Sequence, residues 1–231
     1  MNIEILGGGG FGSARIDLQA GETFVSESGA MYRASSNVDV DVTTKSRGKG
    51  GLLAGVKRLF AKESFFFSTY RAEGGPGEVA IAPTHQGEVR RIAMDGTSTW
   101  SCAGGSYLGS STDIDLETRF QGLKGVFSGE SLSFLEASGT GDLLVGAFGR
   151  IVEIDVERDA GGALTIDTGH LVAFETSLQY RLAKATGSIL QSFLTGEGFV
   201  LHMQGRGRVL VQSHNPTELG KTLGPMLPPR Q

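Results

Sequence analysis

Three glutamates recur at one interval. Glu63, Glu130 and Glu197 sit in the strings LFAKES, VFSGES and FLTGEG, and the spacing is 67 residues both times (130 − 63 and 197 − 130). Carboxylates repeated at one period could ring an axis and gather cations or protons. The simpler expectation is structural, because a carboxylate just ahead of a strand caps a turn or accepts from a nearby amide. A residue that the architecture needs three times serves folding rather than chemistry.

Histidine is the other candidate type. A cupin-like metal-dependent enzyme would draw its ligands from His170, His202 or His214, with His85 as the fourth histidine of the chain. Such a centre needs two histidines and a carboxylate on one face, and neither HxH nor HxxxH occurs. His170, in DTGH, reads as a hydrogen-bonded corner residue beside Asp167. GxSxG is absent and Cys102 has no local activating base, so no nucleophile constellation stands out. No catalytic residue, metal ligand or cofactor-binding residue is assigned, and a non-enzymatic protein is expected.

Two glycine-rich strings resemble phosphate loops and fail on context. Gly7, Gly9 and Gly12 match GxGxxG, but ARIDL follows, a strand pattern where a dinucleotide site needs a helix. RGKGG at Arg47–Gly51 lacks both the following Ser or Thr and the required spacing. The wider stretch carries Lys45, Arg47, Lys49, Lys57, Arg58 and Lys62 before the first acid, Glu63. A charge run of this kind is usually a solvated face. The alternative is docking of a protein, an anionic membrane or RNA through Lys49, Lys57 and Arg58.

The elements around these residues carry the clearer message. Gly29, Gly105 and Gly169 each precede by nine residues the start of an alternating run, at Val38, Ile114 and Leu178. The runs VDVDV, IDLET and LQYRL place apolar and polar residues on opposite faces, as half-buried strands require. Upstream of each glycine, turns at Gly21, Asp95-Gly96 and Gly161-Gly162 predict hairpins. Downstream of each glutamate, FFFSTYRAEGGPGEVAIA, LSFLEASGTGDLLVGA and FVLHMQGRGRVLVQS predict a strand, a glycine-rich turn and another strand.

These landmarks predict an all-β fold. It consists of three tandem β-sandwich or double-stranded β-helix-like repeats around a pseudo-threefold axis, with short helical inserts. The repeats span 13–88, 89–150 and 151–214. Residues 1–12 form an N-terminal strand and glycine-rich connection, and 215–231 a short helix and proline-rich tail. The inserts are read at Leu52–Phe60 and Ile189–Phe193, each a turn or two of helix covering an open end. At the C-terminus, Asn215 before Pro216 is a helix cap. PMLPPR formally fits the PxxPxR peptide pattern, and a stiff tail on a neighbouring subunit is the plainer reading.

Composition bounds the rest. Glycine accounts for 36 of 231 residues without a collagen period, so it marks many tight corners. The single Cys102, beside Trp100, excludes a disulfide framework and reads as a small buried apolar group. The net charge of −4 lacks the basic footprint of a general nucleic-acid binder. No basic region followed by an apolar stretch opens the chain, and no long apolar run interrupts it, so a cytoplasmic protein is expected.

LQAGETFVSESGAMYR, EGGPGEVAIAP, IDTGHLVAFETS and SFLTGEGFVLHMQGRGRVLVQS resemble the widespread uncharacterised family that includes the yeast altered-inheritance-of-mitochondria biogenesis factor. The resemblance runs from about Leu18 to Pro228. It implies a triplicated fold similar to the tryptophan RNA-binding attenuation protein, and trimers whose nine units could close a ring. It implies no catalytic residues and no cofactor. No basic triplet recurs in all three units, so neither nucleic acid nor tryptophan is expected as a ligand.

Together these readings point to a homo-oligomeric scaffold or binding protein. Ring closure removes exposed sheet edges. The strand faces also differ in charge, with Asp39 and Asp41, then Asp115 and Glu117, then Gln179 and Arg181. The acidic faces are therefore expected to meet the Arg181 region of another unit or subunit.

Overall fold

The structure, a computed structural model, describes residues 1–8, 10–43, 66–121, 132–184 and 199–228. It is an all-β protein with few helices. In chain order the strands are β1 (Asn2–Leu6), β2 (Ser13–Leu18), β3 (Thr23–Glu27), β4 (Met31–Ala34), β5 (Val38–Thr43), β6 (Phe67–Ala72) and β7 (Gly77–Ile81). Then come β8 (Val89–Asp95), β9 (Trp100–Ala103), β10 (Tyr107–Ser111), β11 (Ile114–Gln121) and β12 (Leu132–Gly146). The last third holds β13 (Ile151–Asp155), the helix α1 (Val156–Ala160), β14 (Ala163–Asp167), β15 (Leu171–Glu175), β16 (Gln179–Lys184), β17 (Phe199–Gln204), β18 (Arg208–Gln212) and the helix α2 (Pro216–Leu223).

Three sheets result. One has the order β1-β2-β7-β4 and another β14-β17-β16. The large one runs β13-β18-β15-β9-β12-β10-β3-β6-β5, with β8 and β11 also laid along β12. The alternating runs are strands as expected. β5 pairs with β6, β11 with β12 and β16 with β17, in each case across a stretch that lies outside the described residues. The helical inserts read at Leu52–Phe60 and Ile189–Phe193 fall in such stretches.

The glycine run after β1 is a hairpin corner. β1 and β2 pair antiparallel, Ile3 opposite Ile16, and no helix follows to receive a phosphate. The hairpins expected at Gly21, Asp95-Gly96 and Gly161-Gly162 do not form. β2 pairs with β1 and β7, whereas β3 pairs with β6 and β10. β8 pairs with β12, and β9 with β12 and β15 at other positions. β13 pairs with β18, and β14 with β17.

The turn glycines nonetheless take positive φ, 81° at Gly21, 85° at Gly96, and 61° and 83° at Gly161 and Gly162. Gly21 and Gly161-Gly162 hand the chain to a different sheet instead of folding it back, and Gly96 leads from β8 to β9 at another place along β12. Between β13 and β14 the helix α1 also intervenes, its first turn capped by the Asp155 carboxylate accepting from the Arg158 amide.

The glycine-rich turn expected inside LSFLEASGTGDLLVGA is also absent. β12 runs 15 residues through it, bent at Gly139 and Gly141 with φ of 112° and 139°. A Cβ on Gly141 would stand 2.7 Å from that of Ser111, so the close approach of β10 requires glycine there.

Three apolar clusters lie between the sheets. Ile16, Leu18, Val79 and Ile81 pack on Phe24, Tyr70, Leu108 and Leu144. Phe67, Ile92, Met94 and Tyr107 pack with Trp100, Cys102, Leu116 and Val172. Phe134, Phe174 and Val209 pack with Ile166, Leu178, Leu201 and Met203. Cys102 is buried as expected, and desolvation pushes its thiol up to about 12.

Asn215 caps α2 through its side-chain oxygen, which accepts from the amides of Thr217 and Glu218. No helix among the described residues is long and apolar enough to cross a membrane.

Candidate functional site

Each sheet ends in strands paired on one side, and β4 and β14 are two of these ends. β10 has partners on both sides, β12 and β3, and so does β15, with β18 and β9. Among the described residues β4 pairs with β7 alone, and β14 with β17 alone. Each of β4, β10 and β15 carries a bulge against its first partner, at Tyr32, Leu108 and Val172 respectively. Leu108 and Val172 are buried at 1% and 0% exposure, whereas Tyr32 is 54% exposed. Met31, its neighbour in the chain, is exposed as well, and the Tyr32 hydroxyl lies 3.4 Å from Ser13 Oγ. An open backbone edge with exposed aromatic and thioether side chains is a template for strand addition.

A second feature lies on the outer face of the three-stranded sheet. His202 of β17 is registered opposite Thr165 of β14 and Arg181 of β16. One step along, Gln204 stands opposite Ala163 and Gln179. Side chains two apart on a strand share a face, so the two rows form one polar surface. Thr165 Oγ1 and His202 Nδ1 are 2.9 Å apart. These residues line a depression of about 440 Å³ whose lining, among the described residues, includes no Asp or Glu.

Arg181, expected at an interface, is exposed and makes no ion pair among the described residues. Asp39 and Asp41 are exposed as well. Glu117 turns instead to Arg119, whose guanidinium lies 3.1 Å from Glu117 and 3.1 Å from Glu136.

The three landmark glycines do not share one reason for being glycine. Gly29 and Gly105 take φ of 87° and 79°. Gly169 lies in a 3-10 turn, where its missing Cβ makes room for the Asn215 amide. Lys49, Lys57, Arg58, Glu63, Glu130 and Glu197 lie outside the described residues.

The histidines hold structural contacts. His170 Nδ1 is 2.8 Å from the Gln212 carbonyl, in the corner where Asp167 accepts from the Gly169 amide. His214 and His85 both lie against Phe148, with ring centroids 5.3 and 5.8 Å away. No three His, Cys, Asp or Glu among the described residues gather into a group able to hold a metal ion.

Sequence reasoning missed the β4 edge and the Thr165–His202–Arg181 row. The residues MYR of β4 do not show by type that their strand is an edge, and the row exists only through strand register.

The chain resembles proteins that have themselves no assigned activity. It is 29% identical over 222 residues to an uncharacterised protein of Streptococcus pyogenes serotype M6, spanning 94% of this chain and 88% of that one. A crystal structure of a Streptococcus pyogenes protein superposes with a TM-score of 0.81 at 28% identity, covering 98% of this chain and 99% of that one. A family described as mitochondrial biogenesis AIM24 matches residues 3–214, nearly the whole length, and the chain belongs to that family.

Proposed function

We propose that the protein is a non-enzymatic homo-oligomeric scaffold of the cytoplasm. Its three units would follow one another around a pseudo-threefold axis, with copies joined at the β4 and β14 edges. The observation that carries this reading is the pairing pattern. β2-β7-β4 and β3-β6-β5 in residues 13–88 have counterparts in β8-β12-β10 and β9-β12-β11, then in β13-β18-β15 and β14-β17-β16. Neighbouring units are linked by β10 on β3 and by β15 on β9. Repeating that link once more leaves β14 waiting for a β4, which a second copy can supply. Closure of such a head-to-tail contact gives a ring instead of a fibre. The trimer implied by the resemblance, and its likeness to the attenuation-protein fold, fit this arrangement.

The existing links supply the register. Gly109 faces Ser26 and Ser110 faces Val25 at one link, and Ala173 faces Cys102 and Phe174 faces Ser101 at the other. By the same offset, Arg33 of one copy faces Ile166 of the next, and Ala34 faces Thr165. Light scattering after size exclusion tests the reading. The parent chain is expected as an oligomer, and Tyr32→Asp as a folded single chain, since Tyr32 is exposed in one copy, with thermal stability lowered only by the lost association. A monomeric parent at micromolar concentration would overturn it.

A further inference from the structure

We propose that the Thr165–His202–Arg181 row is a binding site for a small organic phosphate. The site is built from one chain's own side chains and does not require the proposed assembly. Neighbouring strands are about 4.8 Å apart, so groups registered across β14, β17 and β16 stand side by side within about 10 Å, a distance that the long Arg181 side chain can span toward one bound phosphate. Arg181 brings a planar fork of donors with no ion pair among the described residues. His202 is held through Nδ1 by the Thr165 hydroxyl at 2.9 Å. An anion selects the arrangement in which that hydroxyl donates into Nδ1, leaving Nε2–H to face outward. Gln179 and Gln204 add amide donors on the flanking row.

The corresponding rows elsewhere argue that this chemistry is particular to the place. In the ladders of like register, Glu117, Glu136 and Ser101 stand in line, as do Asp41, Thr69 and Val25. Carboxylates there repel an anion. Only the row on the three-stranded sheet replaces them with an arginine and an imidazole. A depression of about 440 Å³ exceeds a bare phosphate and suits a phosphate monoester carrying a small polar body.

Calorimetric titration with glycerol phosphate, inorganic phosphate and, at matched ionic strength, chloride tests the site. Saturable binding of glycerol phosphate is expected, tighter than that of inorganic phosphate, with none for chloride. Arg181→Gln and His202→Gln should each weaken it about tenfold or more. Both side chains lie on a surface, and thermal scans are expected to match the parent. Absence of saturable binding overturns the proposal, as does binding that survives Arg181→Gln. So does a result in which Arg181→Glu disperses the oligomer while no phosphate ever binds, which makes the row an interface.

Discussion

Arg208 lies over the face of Trp100, its guanidinium carbon 5.0 Å from the ring centroid, while the same group is held by Glu175. Arg208 Nη2 and Nε donate to Glu175 Oε1 at 2.6 and 2.9 Å, and the Arg208 amide donates to Oε2 at 2.9 Å. β18 and β9 both flank β15, so this contact spans a three-strand stretch of the large sheet. The Glu175 contact, the larger influence, holds the Arg208 guanidinium above its ordinary range.

Removing the fork therefore has a specific cost. Arg208→Ala is expected to destabilise by about 1–3 kcal/mol, because Glu175 keeps one backbone donor and loses two charged ones. Arg208→Lys should recover only part of this, since an ammonium neither forks nor stacks as well. Urea denaturation followed by tryptophan fluorescence measures both, and equal stability of all three proteins would contradict the assignment.

Cys102 ties stability to alkaline pH. Its folded thiol is pushed up to about 12 by burial, above the ordinary value of about 8.5 in the unfolded chain. The unfolded state therefore sheds the proton first, and stability is lost as pH rises through roughly 9 to 12. Cys102→Ala should flatten that alkaline slope. In the native parent the thiol should also resist alkylation at pH 8 until denaturant is added.

The proposed junction has a defined register. In a background lacking Cys102, Ala34→Cys combined with Thr165→Cys should form disulfides between copies under mild oxidation. Ala34→Cys with Ala163→Cys, two residues along, should link far less. Equal linking of the two pairs would refute the register.

Phe174 sits in an aromatic group, its ring centroid 5.5 Å from Phe134 and 5.1 Å from Tyr180, both edge-on. Phe174→Ala is expected to cost about 3–5 kcal/mol in chemical denaturation. A loss under 1 kcal/mol would mean that the cluster collapses around the gap.

Fold class was legible because period-two alternation survives in VDVDV, IDLET and LQYRL whatever the strands pair with. The pairing was not. Gly21 and Gly96 signal that the chain reverses locally, and they carry no information on which strand receives it. Nor does MYRA announce that β4, among the described residues, lacks the second neighbour that YLGSS of β10 possesses. Thr165, Arg181 and His202 lie far apart in the chain and become one surface only through the registers of β14, β16 and β17. Their separate residue types hold no trace of that meeting.

β12 has a consequence for how the molecule comes apart. Four other strands, β8, β9, β10 and β11, lean on its 15 residues. Opening of β12 would break all four of these ladders at once. Amide protons along Leu135–Leu144 should be the slowest in the chain to trade with deuterium, and their release should report the unravelling of the whole.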